Sequence, residues 1–193
     1  MASKALEQKH PITLPPRCAA KNAFAAQQSS TNFTVKCWGQ NDQGQNNIPL
    51  NLGPVTSIIA VGASHSCVIT AAGTVRCWSV VFDNIGRTAV PSDLGTVKAL
   101  YAGPGDHTCA VKTSGTVVCW GGNNYYGQLD VPSTLGPITT VAVGNTHNCA
   151  LDTSGAVACW GSDYYHEATV PADLQLPVAL LAAGYEFTCA FDA

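Results

Sequence analysis

The chain has 193 residues, 46% of them hydrophobic and 11% charged, which supplies a sizeable core and excludes a disordered chain. Its net charge of −3 leaves no basic footprint for nucleic acid or an anionic membrane surface. No run of about 18 apolar residues occurs, so no membrane-spanning helix is expected.

Residues 1–17 form a polar extension with Pro11, Pro15 and Pro16, and they lack the apolar stretch of a secretory signal. Residues 18–193 read as one repeat domain. Cys-Trp pairs at Cys37-Trp38, Cys77-Trp78, Cys119-Trp120 and Cys159-Trp160 recur every 40, 42 and 40 residues. A second series, Cys67, Cys109, Cys149 and Cys189, keeps the same period and precedes each Cys-Trp by ten positions where both are present. Cys18 opens the first unit, with an insertion before Cys37. Gly62, Gly103, Gly144 and Gly184 stand three or four residues before His65, His107, His147 and Phe187, and Pro49, Pro91, Pro132 and Pro171 close the loop after each tryptophan. Each unit therefore reads as apolar strand, glycine turn, hairpin, loop and proline.

The segment from Cys67 to Cys77 has a definite register. Placing the two cysteines opposite each other pairs Thr70 with Thr74 and leaves Ala71, Ala72 and Gly73 as a three-residue loop, whose last position favours a left-handed residue. Gly115 and Gly155 take that place in the next two units. Opposed residues of an antiparallel pair lie close enough for a disulfide. The expected bonds are Cys67–Cys77, Cys109–Cys119, Cys149–Cys159 and Cys18–Cys37, with Cys189 unpaired. Buried free thiols are the alternative. Each such staple contributes about 2.5–3 kcal/mol in the chain-entropy account. Each tryptophan follows a cysteine, so strand alternation sends it to the opposite face, and a unit that cannot bury its own apolar face must stack on neighbours.

The stretches AVGNTHNCAL at 142–151 and CWGGNNYYGQL at 119–129 resemble regulator of chromosome condensation repeats. The period and the Val-Pro ending are most similar in style to the propeller-type β-lactamase inhibitory proteins. The resemblance implies an all-β propeller of small antiparallel blades, about 40 residues each. The chain would supply four complete hairpins and part of a fifth, against a ring of about seven. A complete small ring, an open arc, and a ring completed by self-association or partner chains all stay open.

Histidine and cysteine share a strand face at His65/Cys67, His107/Cys109 and His147/Cys149, a candidate metal pattern. A histidine recurring once per blade, beside a cysteine that already has a hairpin partner, reads instead as a structural hydrogen-bonder, so no metal and no cofactor is expected. The Asp152-Thr-Ser-Gly155 stretch reads as a turn, because the neighbouring units carry other residues there. No nucleophile elbow, phosphate loop or Cys-x-x-Cys motif appears, and no enzyme is expected.

The loops that differ between repeats, residues 40–47, 79–89, 121–130 and 161–169, are where function is free to reside. Tyr125, Tyr126, Tyr164, Tyr165 and His166, with Phe82 and Asp83 in the preceding unit, form the candidate partner-binding set, a composition enriched in binding hot spots. The expected function is a non-catalytic protein-binding scaffold, acting as an inhibitor or as an accessory subunit of a larger assembly. A carbohydrate-binding propeller is the alternative, and the nucleotide-exchange activity that the family name implies is set against paired cysteines and missing basic tails. Paired cysteines place the chain outside the cell, in the periplasm or in another oxidising lumen, reached with a leader that lies outside this sequence. Asn32-Phe33-Thr34 is a possible glycosylation acceptor.

Overall fold

The computed structural model describes residues 33–79 and 83–192. Eleven strands run in chain order: β1 (Val55–Val61), β2 (Ser66–Thr70), β3 (Val75–Trp78), β4 (Val97–Ala102), β5 (Thr108–Lys112), β6 (Val117–Trp120), β7 (Ile138–Val143), β8 (His147–Asp152), β9 (Val157–Gly161), β10 (Val178–Ala183) and β11 (Thr188–Asp192). They form three antiparallel sheets, β1-β2-β3, β4-β5-β6 and β7-β8-β9, and a two-stranded sheet, β10-β11. These are three complete blades and two strands of a fourth. Among the described residues the sheets do not close into a ring. The expected first hairpin is represented by the segment from residue 33 to 38, where Phe33 bridges to Val55. Cys18, its expected bond to Cys37, and Asn32 lie outside the described residues.

The hairpin register follows from the turn. Thr70 N–H donates to Thr74 at 2.8 Å and Gly73 N–H donates to Thr70 at 2.9 Å, with Gly73 at φ 78°. Hydrogen-bonded and non-hydrogen-bonded pairs alternate along an antiparallel ladder. Cys67 and Cys77 are three steps from the Thr70–Thr74 pair and so form a non-hydrogen-bonded pair, the kind with the closer Cα atoms. Disulfides close all three complete hairpins, Cys67–Cys77, Cys109–Cys119 and Cys149–Cys159, with Cα separations of 4.1, 4.1 and 4.0 Å. Cys189 is exposed and outside any disulfide.

The core lies between blades. Trp78, Trp120 and Trp160 each leave the hairpin on the face opposite its disulfide and pack against the preceding unit. Trp120, for example, shares a cluster with Cys67, Val75, Leu94, Leu100 and Ala110. Full burial of so large a side chain contributes about 1.5–3 kcal/mol per blade. Three of the four tryptophans are 5–7% exposed, whereas Trp38 is 59% exposed.

Candidate interaction surface

The three histidines are built into the joints between blades. His65 Nε2 shares a 2.7 Å hydrogen bond with Thr108 Oγ1, and His147 Nε2 a 2.8 Å one with Thr188 Oγ1. His107 Nε2 stands 2.8 Å from Asn148 Oδ1, an acceptor, so this nitrogen carries the proton. Gly62 and Gly144 are required beneath two of these rings, because a Cβ on either would clash with the imidazole of His65 or His147. Burial holds His65 down to about 4, and burial likewise lowers His107 and His147 below the ordinary imidazole value. These are neutral structural links from one blade to the next. Among the described residues, no group of three His, Cys, Asp or Glu side chains converges as a metal site.

The loops after each Cys-Trp share an order that counting forward from tryptophan hides. Counted back from the closing proline they coincide. Eight residues before it stands Asn41, Asp83, Asn124 or Asp163, whose side-chain oxygen accepts the N–H five residues on: Asn46 at 2.8 Å, Thr88 at 2.6 Å, Leu129 at 2.8 Å and Ala168 at 3.0 Å. Five before the proline, Gly44, Gly86 and Gly127 hold left-handed backbone at φ 67°, 71° and 74°. His166 takes that position in the fourth loop, at φ 65°.

Four before the proline stands Gln45, Arg87, Gln128 or Glu167. The side chains of Gln45, Gln128 and Glu167 accept the N–H two residues earlier, from Gln43, Tyr126 and Tyr165, at 3.0, 3.2 and 2.6 Å. Their main-chain carbonyls reach the next blade. Gln45 O accepts Trp78 Nε1 at 2.9 Å and Ser66 Oγ at 3.0 Å; Gln128 O accepts Trp160 Nε1 at 3.0 Å and Asn148 Nδ2 at 2.8 Å. The Arg87 side chain has no acceptor, and its guanidinium donates instead to Ser64 and to Asp83 and Asp106, which it also pairs as ions. Trp120 Nε1 has no hydrogen-bond partner among the described residues.

Each loop is therefore a clasped turn tied to the following blade, and successive loops adjoin as a ridge. On it Tyr125, Tyr126, Tyr164 and Tyr165 are 83%, 57%, 78% and 61% exposed. Tyr164 and Tyr165 stack edge-to-face at 4.7 Å between centroids; this is the one aromatic ring contact recorded among the described residues. Asp83 differs from the expectation for a contact residue. Its carboxylate is turned into the loop and consumed by Thr88 and Arg87; burial opposes its ionised form, and these hydrogen bonds outweigh burial and lower its pKa. Phe82 lies outside the described residues. Glu167, absent from the expected set, is fixed by Ser162 and Tyr165 and is ionised below the ordinary range. Asp152 is the turn residue expected, accepting from Ser154 and Ala156.

The family model for the regulator of chromosome condensation (RCC1) repeat matches residues 56–79, 97–128 and 138–167. The chain carries RCC1-like repeats. Each match falls within one three-stranded blade and its following loop. A comparison with curated proteins gave no match. Among solved structures, the chain is similar to the ectodomain of the Physcomitrella patens receptor kinase CR4, with TM-score 0.63 and 26% identity over 86% of this chain and 42% of that one. Prp20p from Saccharomyces cerevisiae gives TM-score 0.65 and 15% identity, over 79% of this chain and 50% of that one. The CRINKLY ectodomain of the Arabidopsis thaliana receptor kinase ACR4 gives 0.54 and 23%, over 73% and 46%. The RCC1-like arc thus spans half or less of the length of each of these propellers.

Proposed function

We propose that the chain is a non-catalytic protein-binding scaffold of an oxidising compartment, whether extracellular, periplasmic or luminal, serving as an inhibitor or accessory subunit. It makes contact through the loop ridge, with Tyr125, Tyr126, Tyr164, Tyr165 and His166 as its anchors. The observation that carries this reading is that four exposed tyrosines stand on turns already locked by side-chain clasps. Rigid aromatic anchors lose little entropy on binding and supply large contact area, which is the make-up of hot spots.

Three disulfides support the compartment, and two of the similar structures are receptor ectodomains. The non-catalytic reading is supported by histidines engaged between blades and cysteines held in hairpins. A sugar site needs free polar groups beside its aromatics, and here Asn124 and Asp163 are turned onto their own loops, which disfavours the carbohydrate alternative. Prp20p is described by its binding to Gsp1p and histones, but a role of that kind in this chain is disfavoured by the disulfides.

The test is affinity capture from the secreted fraction of the source organism, with Tyr125→Ala/Tyr164→Ala beside the parent chain. Both side chains are exposed, so the fold should survive, and capture of the specific partner should fall about tenfold or more. Undiminished capture by the double variant overturns the reading.

A further inference from the structure

The four loops that follow the tryptophans hold five carboxylates, Asp42, Asp83, Asp130, Asp163 and Glu167, against one cation, Arg87. Their net negative charge exceeds that of the whole chain, −3. Arg87 is 9% exposed, and its charge is taken up by Asp83 and Asp106. Among the described residues, Asp42, Asp130, Asp163 and Glu167 have no ion-pair partner. Hydrogen bonding, led by the Thr169 hydroxyl, holds Asp163 below the ordinary carboxylate range, so it is ionised at neutral pH.

The other cations of the described residues lie elsewhere. Arg76, Lys98 and Lys112 stand on β3, β4 and β5 toward the hairpin-turn end of their sheets, and Lys36 is in the segment 33–38. Arg76 donates to Asn51 Oδ1 at 3.4 Å and Lys112 Nζ to Asp93 O at 3.2 Å, both on the segments that lead into β1 and β4.

The charge on the ridge is more than its turns require. The clasp is made by Asn41 and Asn124 in two loops and by Asp83 and Asp163 in the others, with the same N–H accepted each time. Its companion is Gln45 or Gln128 in two loops and Glu167 in the fourth, again with one N–H accepted in common. Asn and Gln therefore close the turn without charge, yet the loop bearing Tyr164 and Tyr165 closes it with two carboxylates. In the loop bearing Tyr125 and Tyr126, Asn124 Nδ2 donates to Asp130 Oδ1 at 2.9 Å, where the first loop uses the uncharged Asn47.

We infer that the partner of the tyrosine ridge is a protein with a cationic, arginine-bearing face, whose guanidinium groups stack on Tyr125 and Tyr164 and pair with Asp130 and Asp163 in the same loops. A guanidinium suits both surfaces at once, because its flat face lies on an aromatic ring while its N–H edge matches a carboxylate. Acidic charge around aromatic anchors also steers an oppositely charged partner and speeds its arrival. The inference rests on the ridge being the contact face, as proposed above, and adds the chemistry of what it contacts.

The test is fluorescence anisotropy of a labelled peptide of repeated Arg-Gly-Ser units titrated with the whole chain, beside a Glu-Gly-Ser control, at about 50 mM and about 300 mM NaCl. Asp130→Asn/Asp163→Asn removes two exposed charges from the ridge. Asn keeps the hydrogen bonds of both places, since its oxygen still accepts and the Thr169 hydroxyl accepts where it had donated. Asp93→Asn/Asp173→Asn removes two exposed charges from the hairpin-turn end. The parent chain is expected to bind the arginine peptide and not the glutamate one, about fivefold more weakly at the higher salt. Affinity should fall about fivefold in the ridge charge variant and about tenfold in Tyr125→Ala/Tyr164→Ala, and hold in Asp93→Asn/Asp173→Asn. No binding of the arginine peptide, or equal losses in the two charge variants, overturns the inference. Partner capture that falls in the tyrosine variant but not in the ridge charge variant also overturns it, while leaving the protein-binding reading intact.

Discussion

His166 is the residue at which this chain departs from its own repeat. Three loops place glycine in the left-handed turn position, and the fourth holds a histidine at φ 65°. That conformation costs a non-glycine residue about 1–2 kcal/mol, and strain of this kind persists where the surroundings or the function hold it. His166→Gly should therefore stabilise the fold by about 1 kcal/mol, raising Tm by about 2–4 °C in calorimetry, while weakening partner capture. An unchanged or lower Tm would show that no strain is relieved. The buried histidines set a pH dependence. His65 is held at about 4 against 6.5 when exposed, so the unfolded chain binds more protons between those values. Stability is then full above about pH 6.5 and falls as pH drops toward 4, by about 3 kcal/mol for His65, with His107 and His147 acting in the same direction. Urea midpoints at pH 7 and pH 4.5 measure this; equal midpoints would contradict it. Glu167 and Asp83, whose carboxyls are lowered, add losses only further into acid.

At the scale of the element, each hairpin closes on its disulfide and each loop on its clasp. Removing one staple, as in Cys109→Ala/Cys119→Ala, should cost about 2.5–3 kcal/mol in denaturant unfolding. Asp163→Ala should leave the hairpins intact and free the Tyr164–Tyr165 turn, seen as faster amide exchange at Ala168, whose N–H it holds. Exchange at Ala168 that stays slow would show the turn is held by other means. The hairpins were legible in the sequence because a ten-residue cysteine spacing and a glycine at the turn admit one register. The joints were less so. That His65 recurs was visible, but that its partner is Thr108, on the next blade, is a contact across 43 residues that no local pattern encodes. The loops looked variable because residues are inserted between the tryptophan and the Asn or Asp clasp. Alignment on the closing proline would have shown Asp83 as a clasp, and Gln128 and Glu167 as its companions, leaving the tyrosines as the side chains with no work inside the loop.

For the whole molecule, the repeat makes stability a sum of blades and of the joints between them. Among the described residues, the two-stranded sheet shows apolar side chains: Leu180 on β10, Phe191 on β11 and Phe187 just before β11 are 49–70% exposed. The inner joints bury theirs beneath tryptophans. This asymmetry was invisible in composition, because it depends on which copy of a repeated position has a neighbour. All of it rests on disulfides that lie within single hairpins and never between them. Peptide mapping without reduction tests this directly. Trypsin cuts at Arg76 and Lys112, inside the first two staples, and cleavage before Asp152 cuts inside the third. Mass spectrometry should find Cys67 joined to Cys77, Cys109 to Cys119 and Cys149 to Cys159. Linkages between different hairpins, or free thiols at these six positions, would contradict the account.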